Sequence, residues 1–298
     1  MRIKAHPFLL LTLTALFWAG NFVLGRAVKN SVPPISFAFW RWTLAFLILI
    51  PFSIHHIRAD WPLLRQNRRL LAVYGLLGVS CFNTFVYIGL HSTTATNALL
   101  LNSVIPILIV LLSHFLAATP VSPRQGIGIA LSLIGVLTII CRADPDVLLT
   151  LQINRGDIWI LLAVICWAFY TFLLRQRPAG IHPFSFLTSI VAVGLIPLSI
   201  LYAWEYSQGG RFVLNLANSV GILYVALFPS VLAFIFWNRA VREVGPNKAG
   251  LFLYLMPVFG AILSAVFLGE SIRAFHLIGS ALILTGIYLT TMVPVGKS

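Results

Sequence analysis

With 298 residues, of which 59% are hydrophobic and only 9% charged, the chain cannot be a soluble globule. Ordinary soluble domains carry about 25% charged residues, so the solvent for most of this surface is lipid. A formal charge of +13 does not indicate nucleic acid either, because the basic residues lie in short connectors between apolar runs and form no single basic face.

A helix needs roughly 17–25 apolar residues to cross the ~30 Å hydrocarbon layer, and ten stretches meet that measure. The first, 7–28, follows a basic start that resembles a signal peptide. Its apolar run continues for about twenty residues with no A-x-A-like cleavage site, so it is read as a retained span, carrying Trp18 and Asn21. The second, 34–54, sets Arg41 between Trp40 and Trp42. The third, 70–90, holds Asn83 and Tyr87, and the fourth, 95–116, holds Asn97, Asn102, Pro106 and His114. The fifth, 124–141, is Gly-rich, with Gly126 and Ala130 suited to close helix packing. After a connector of about fifteen residues come 157–175 with Trp167 and Tyr170, 183–204, 218–240 with Trp237, 248–268 with Tyr254 and Pro257, and the Gly-rich 273–293. Connectors such as NSVPP, RADWPLLRQNRR and REVGPNK hold the turn residues, and none is long enough for a soluble domain. The fold class expected is an all-α membrane protein. Cys81, Cys141 and Cys166 have neither metal-ligand spacing nor an even count and read as small apolar packing residues. With the N-terminus inside, 13 of the 20 Lys and Arg fall on the cytoplasmic side against six outside, with Arg41 within a span, which predicts that both termini are cytoplasmic.

The sequence is written twice. ALFWAGNFVLGRAV (15–28) is echoed by AVICWAFYTFLLRQ (163–176), placing Trp18 and Trp167 149 positions apart. PISF at Pro34 matches PFSF at Pro183, Tyr74 and Ser80 match Tyr224 and Ser230, and Pro106, Gly128 and Gly135 match Pro257, Gly279 and Gly286, with offsets of 149 to 151. Five helices per half is an odd number, so the second half enters the membrane from the opposite side. The expectation is an inverted repeat of two five-helix units, 1–141 and 157–293, with a substrate site near the midplane and alternating access by rocking. Trp18 and Trp167 each lie about ten residues into their helices and reach mid-depth from opposite sides.

LFWAGNFVLGRAV…PPISFAFWRWTLAFL, GDIWILLAVICWAFYTFLL and MPVFGAILSAVFLGESIRAFHLIGSALILTGIYL together resemble the two halves of EamA-type transporters of the drug/metabolite transporter superfamily, over nearly the whole chain. The resemblance implies inner-membrane export of small metabolites, amino acids among them. The first half departs from the pattern where FLAATPVS replaces a FLGE-like ending, so Glu270 has no counterpart at Thr119, which weighs against an acidic pair working there.

All seven Asp and Glu fall in connectors or at helix ends, which disfavours a cation pump of the kind that uses a mid-membrane carboxylate. No HExxH, GxSxG or P-loop pattern appears, so no catalytic residue, metal or cofactor is expected. The substrate-binding candidates are Trp18, Asn21, Arg41, Tyr87, Asn102, Trp167, Tyr170, Trp237 and Tyr254, with Asn83 and Asn97 behind them, and Pro106 and Pro257 are expected to kink gating helices. Arg41 has two readings: snorkelling outward with Trp40 and Trp42 at the interface, or facing the cavity to hold a substrate carboxylate. The function expected is export of a small neutral or zwitterionic metabolite, an amino acid first, from the cell inner membrane. Exchange or export of phosphorylated or nucleotide-linked metabolites or of hydrophobic drugs is the alternative, and a receptor or assembly subunit is a further one. Coupling is expected to be absent or to run through a helix-end residue, Glu270 or His114. The partners expected are a small-molecule substrate and the lipid bilayer, with no nucleic acid, and a homodimer is left open.

Overall fold

The computed structural model describes residues 6–28, 32–93, 95–149, 154–212, 215–269 and 271–291; Glu270 lies outside them. All regular structure among the described residues is helical. The N-terminal helix is α1 (Pro7–Val28). Among the described residues nine further helices are long and apolar enough to cross a membrane: α2 (Pro34–Gln66), α3 (Arg68–Ser92), α4 (Asn97–Ala117), α5 (Pro123–Ile140), α6 (Arg155–Gln176), α7 (Pro183–Ser207), α8 (Asn218–Val244), α9 (Pro246–Phe267) and α10 (Ala274–Thr291).

Hydropathy misplaces one boundary. The predicted second span ends at 54, whereas α2 runs 33 residues to Gln66, a length of about 50 Å. Hydropathy marks where lipid ends, and a helix can continue beyond it when something packs on the extension. Here the start of α7 does so: the His56 and His182 rings stack at 3.6 Å, and the Asp60 carboxylate accepts the His182 backbone N–H at 2.9 Å.

His182 also caps α7, its Nδ1 accepting the Phe184 backbone N–H at 3.3 Å. A ring that accepts there must be neutral. Burial, and then the adjacent His56, push its pKa below the ordinary histidine value. A folded-state pKa below the unfolded value means stability that is present above about pH 6.5 and is lost as pH falls through the folded pKa. Thermal unfolding in detergent is therefore expected to show an acid-side loss of about 1 kcal/mol, the worth of a cap. His182→Asn keeps an acceptor without a titrating group and should flatten that part of the profile; an unchanged profile would remove His182 as its source.

The four Pro- and Ser-marked helices are irregular. α4 breaks at 103–104, between a first segment that ends at Asn102 and a second, Ile105–Ala117, and α9 passes through a 3₁₀ turn at Phe252–Tyr254 before resuming at Leu255. Both irregularities precede the expected prolines, Pro106 and Pro257, whose missing N–H groups remove the α-helical bonds to the carbonyls of Asn102 and Leu253. α3 and α8 each contain a π-helical turn, Gly75–Cys81 and Ala226–Leu232. Each turn holds a serine: Ser230 Oγ donates to the Val225 carbonyl of its own turn at 2.6 Å, whereas Ser80 Oγ, 3.5 Å from the Gly75 carbonyl, donates to the Gly194 carbonyl of α7 at 2.7 Å.

The helix pairings come in matched sets. α1 packs on α8 and α9, as α6 packs on α3 and α4; α3 packs on α7, as α8 packs on α2. The remaining large contacts, α2 with α7 and α5 with α10, join equivalent helices of the two halves. Exchanging the halves maps this set of pairs onto itself.

One of these junctions corrects the sequence reading, and a second shows what a helix-end carboxylate does. At α5–α10 the close-packing residues are Gly128 and Gly135 against Gly286 and Gly279, supported by Ser132 Oγ donating to the Ile283 carbonyl at 3.4 Å. Gly126 has nothing near its Cβ position and Ala130 is exposed, because they lie on the outer side of α5. At α2–α7 the buried Glu205 carboxylate accepts the backbone N–H groups of Ile35 at 3.0 Å and Ser36 at 2.6 Å, capping a neighbouring helix whose positive N-terminal end stabilises the charge.

The N-terminus of α6 is held similarly. Asn154 and Asp157 form a capping box, and Asp157 also accepts from Thr93 Oγ1 and from Asn97 Nδ2, the latter at 3.2 Å. Asn97, named with the cavity candidates, is thus committed to a helix-end junction.

Candidate functional site

Pro257, the two repeat tryptophans and residues that follow the α3 and α8 π-turns meet at a cavity between the halves, of about 70 Å³. α1 supplies Trp18 and Asn21, α2 supplies Arg41, α3 supplies Phe82, Asn83 and Tyr87, and α4 supplies Asn102 and Ser103. The opposite wall is Trp167 of α6, Phe234 of α8 and Met256 and Pro257 of α9, with Val136 of α5 below them.

The two repeat tryptophans touch. Their ring centroids lie 5.0 Å apart at 87°, the edge-to-face geometry that aromatic quadrupoles favour. Trp18 Nε1 donates to the Pro229 carbonyl in the α8 π-turn at 3.0 Å, which fixes its indole at the cavity wall. Trp167 is flanked by Phe82 at 4.8 Å and Phe234 at 5.5 Å.

Arg41 forms the polar end. It is 2% exposed, so the outward-snorkelling reading fails, and Trp42 beside it is fully buried rather than interfacial. Its Nε donates to Ser230 Oγ at 2.5 Å, and its Nη1 donates to Asn83 Oδ1 at 3.0 Å, to Tyr87 Oη at 2.9 Å and, at 3.4 Å, to Asn21 Oδ1. All four partners are neutral. Among the described residues the one ion pair is Arg239–Glu243, at the surface. A buried cation held only by neutral oxygens carries an unbalanced charge into the cavity wall.

Of the residues named from sequence, Trp18, Asn21, Arg41, Tyr87, Asn102, Trp167 and Pro257 line this cavity. Tyr170, Trp237, Tyr254 and Pro106 do not. Tyr170 Oη is engaged with Asn238 Oδ1 at 2.7 Å and Trp237 Nε1 with Thr171 Oγ1 at 3.3 Å. Tyr254 is buried with its hydroxyl unpartnered, and Pro106 gives way to Ile105 at the wall. His114 is exposed near the Thr119 carbonyl, away from the cavity. Sequence reasoning passed over Ser230 as the arginine's partner and Ser103, Phe82 and Phe234 as lining. Ser230 carried a signal, its match with Ser80 across the repeat; the phenylalanines carried none among 22.

The chain is 28% identical to the uncharacterized transporter YyaM of Bacillus subtilis over 92% of its length and 89% of that protein's. An uncharacterized transporter of Archaeoglobus fulgidus is also 28% identical, over 98% of both chains, and a WAT1-related protein of Arabidopsis thaliana is 25% identical over 84% of this chain and 76% of that one. A solved crystal structure superimposes with a TM-score of 0.75 at 19% identity, covering 96% of each chain, which shows the fold alone. The model of the EamA-like transporter family matches residues 7–141 and again 154–292, and the chain therefore belongs to that family.

Proposed function

We propose that this multi-pass membrane protein exports a small zwitterionic metabolite, an amino acid first, from the cell inner membrane by alternating access. In this reading ten helices span the bilayer as two inverted five-helix repeats, 1–141 and 157–293, with both termini cytoplasmic. The observation that carries it is Arg41, a buried guanidinium without a carboxylate partner among the described residues, facing an aromatic cavity formed jointly by the two halves. A cargo carboxylate would balance that charge, and the faces of Trp18 and Trp167 suit an ammonium or an apolar side chain. The matched helix pairings support the inverted repeat, since two equivalent halves give two equivalent routes to one site. The cavity of about 70 Å³ is far below the ~300–1,000 Å³ of drug-sized pockets, which favours a small cargo over a nucleotide-linked metabolite or a hydrophobic drug.

The test is counterflow in proteoliposomes with labelled neutral amino acids. Uptake driven by unlabelled amino acid inside, and absent with the matching amino-acid amide, is expected. Equal counterflow by amide and acid would sink the carboxylate reading. Reporters fused at Lys297 and within 142–156 should fall on opposite sides of the membrane, and the same side for both would sink the inverted repeat.

A further inference from the structure

We propose that Cys81 and Cys166 form a thiol–disulfide site that clasps the first half of the chain to the second beside the cavity. The register of α3 against α6 places them together. A methyl group on Gly78 would meet the Tyr170 ring at 2.6 Å, the Phe82 and Trp167 ring centroids are 4.8 Å apart, and a methyl group on Gly89 would meet the Gly156 carbonyl at 2.9 Å. Numbering rises along α3 as it falls along α6, so the two helices run antiparallel in close contact, and positions 81 and 166 fall at one level. Both cysteines are free and half-buried and stand outside the cavity wall, yet each adjoins one of its residues, Phe82 or Trp167.

The equivalent junction of the other pair, α1 with α8, has Phe17 and Val231 at the matching positions, and there Phe17 packs on Phe228 at 5.2 Å. The clasp therefore belongs to one side of the repeat. Oxidation joins the two sulfurs and releases two protons and two electrons. A membrane-permeant azodicarboxamide such as diamide takes up both pairs and becomes the hydrazine derivative, and a dithiol reverses the step. The structural effect rests on the alternating-access reading: a covalent bond between α3 and α6 holds one cavity wall to the other and stops their relative rocking.

The experiment uses the full chain carrying Cys141→Ser, reconstituted in vesicles. After diamide, maleimide-reactive thiols counted under denaturing conditions should fall from two to none, a bridged 81–166 peptide should appear by mass spectrometry, and dithiothreitol should restore both thiols. Cys81→Ser and Cys166→Ser should each form no intrachain bridge. Counterflow of labelled leucine, the probe, should drop at least tenfold on oxidation and recover on reduction, and should be insensitive to diamide in both serine variants. Two thiols persisting after diamide would overturn the site, and a bridge that leaves counterflow undiminished would overturn the clasp. Leucine counterflow absent even before oxidation would count against the amino-acid reading, while the thiol count still decides the bridge.

Discussion

Replacing Arg41 by Ala is expected to lower counterflow about 100-fold while leaving the folded protein as stable as before, or more so. The two effects separate because the arginine's partners are neutral. Ser230, Asn83, Tyr87 and Asn21 lose a donor but strand no charge when it goes. A buried cation is costly to keep, and removing one that has no ion partner relieves that cost. Transport has no such compensation. A charge-assisted guanidinium–carboxylate contact is worth about 3 kcal/mol at its strongest, and each 1.4 kcal/mol is tenfold in affinity. Arg41→Lys keeps the charge but not the fork that spans Ser230 on one side and Asn83 with Tyr87 on the other, so a loss of about tenfold is expected. Thermal unfolding and counterflow measured on the same preparations decide the matter. A parallel collapse of both would make Arg41 a structural residue, and undiminished counterflow in Arg41→Ala would remove it from the site.

The class of the protein was legible because lipid leaves a compositional mark that no soluble fold can carry, and the repeat located the centre because a duplicated Trp18 and Trp167 had to meet somewhere. The failures are equally physical. Trp18 and Asn21 are three residues apart and both line the cavity, whereas Trp167 and Tyr170 have the same spacing and only the first does. Helical spacing shows that two side chains share a face; what that face meets depends on the neighbouring helix. Here α3 presents Gly78, and the Tyr170 ring fills the space a side chain there would occupy. The arginine's environment was illegible for a related reason. Its four partners come from three other helices, and only the packing of α1, α3 and α8 around α2 brings them together. The extension of α2 to Gln66 was missed because the histidine pair that anchors it joins residues 56 and 182, a contact with no trace in local hydropathy.

The α5–α10 junction should be the least tolerant place on the molecule for a single added carbon. A Cβ on Gly135 would lie 2.6 Å from the Gly279 carbonyl oxygen, and one on Gly279 would lie 2.6 Å from the Gly135 carbonyl and 2.5 Å from Ile139 Cγ1. Each obstacle includes backbone, which cannot rotate aside, so Gly135→Ala or Gly279→Ala must push the helices apart. Overpacking of this kind costs about 1–3 kcal/mol for one methyl group and more for a branched side chain. Gly126 and Gly260 supply the comparison, since nothing lies within 4 Å of either Cβ position. Alanine there should be neutral or stabilising by about 0.5–1 kcal/mol, because it restricts the unfolded chain and favours the helix. Thermal unfolding of the four alanine variants in detergent should split them into two destabilised and two unharmed. The effect should also reach function: Gly135 precedes Val136, which lines the cavity, and α5 and α10 come one from each half of the chain. Gly279→Val, with its branched side chain against the Gly135 carbonyl, is expected to leave little folded protein after purification. If Gly135→Ala and Gly126→Ala unfold at the same temperature, the close glycine contact does not hold the halves together, and their union rests on the other pairings across the repeat, the α2–α7 junction with its Glu205 cap among them.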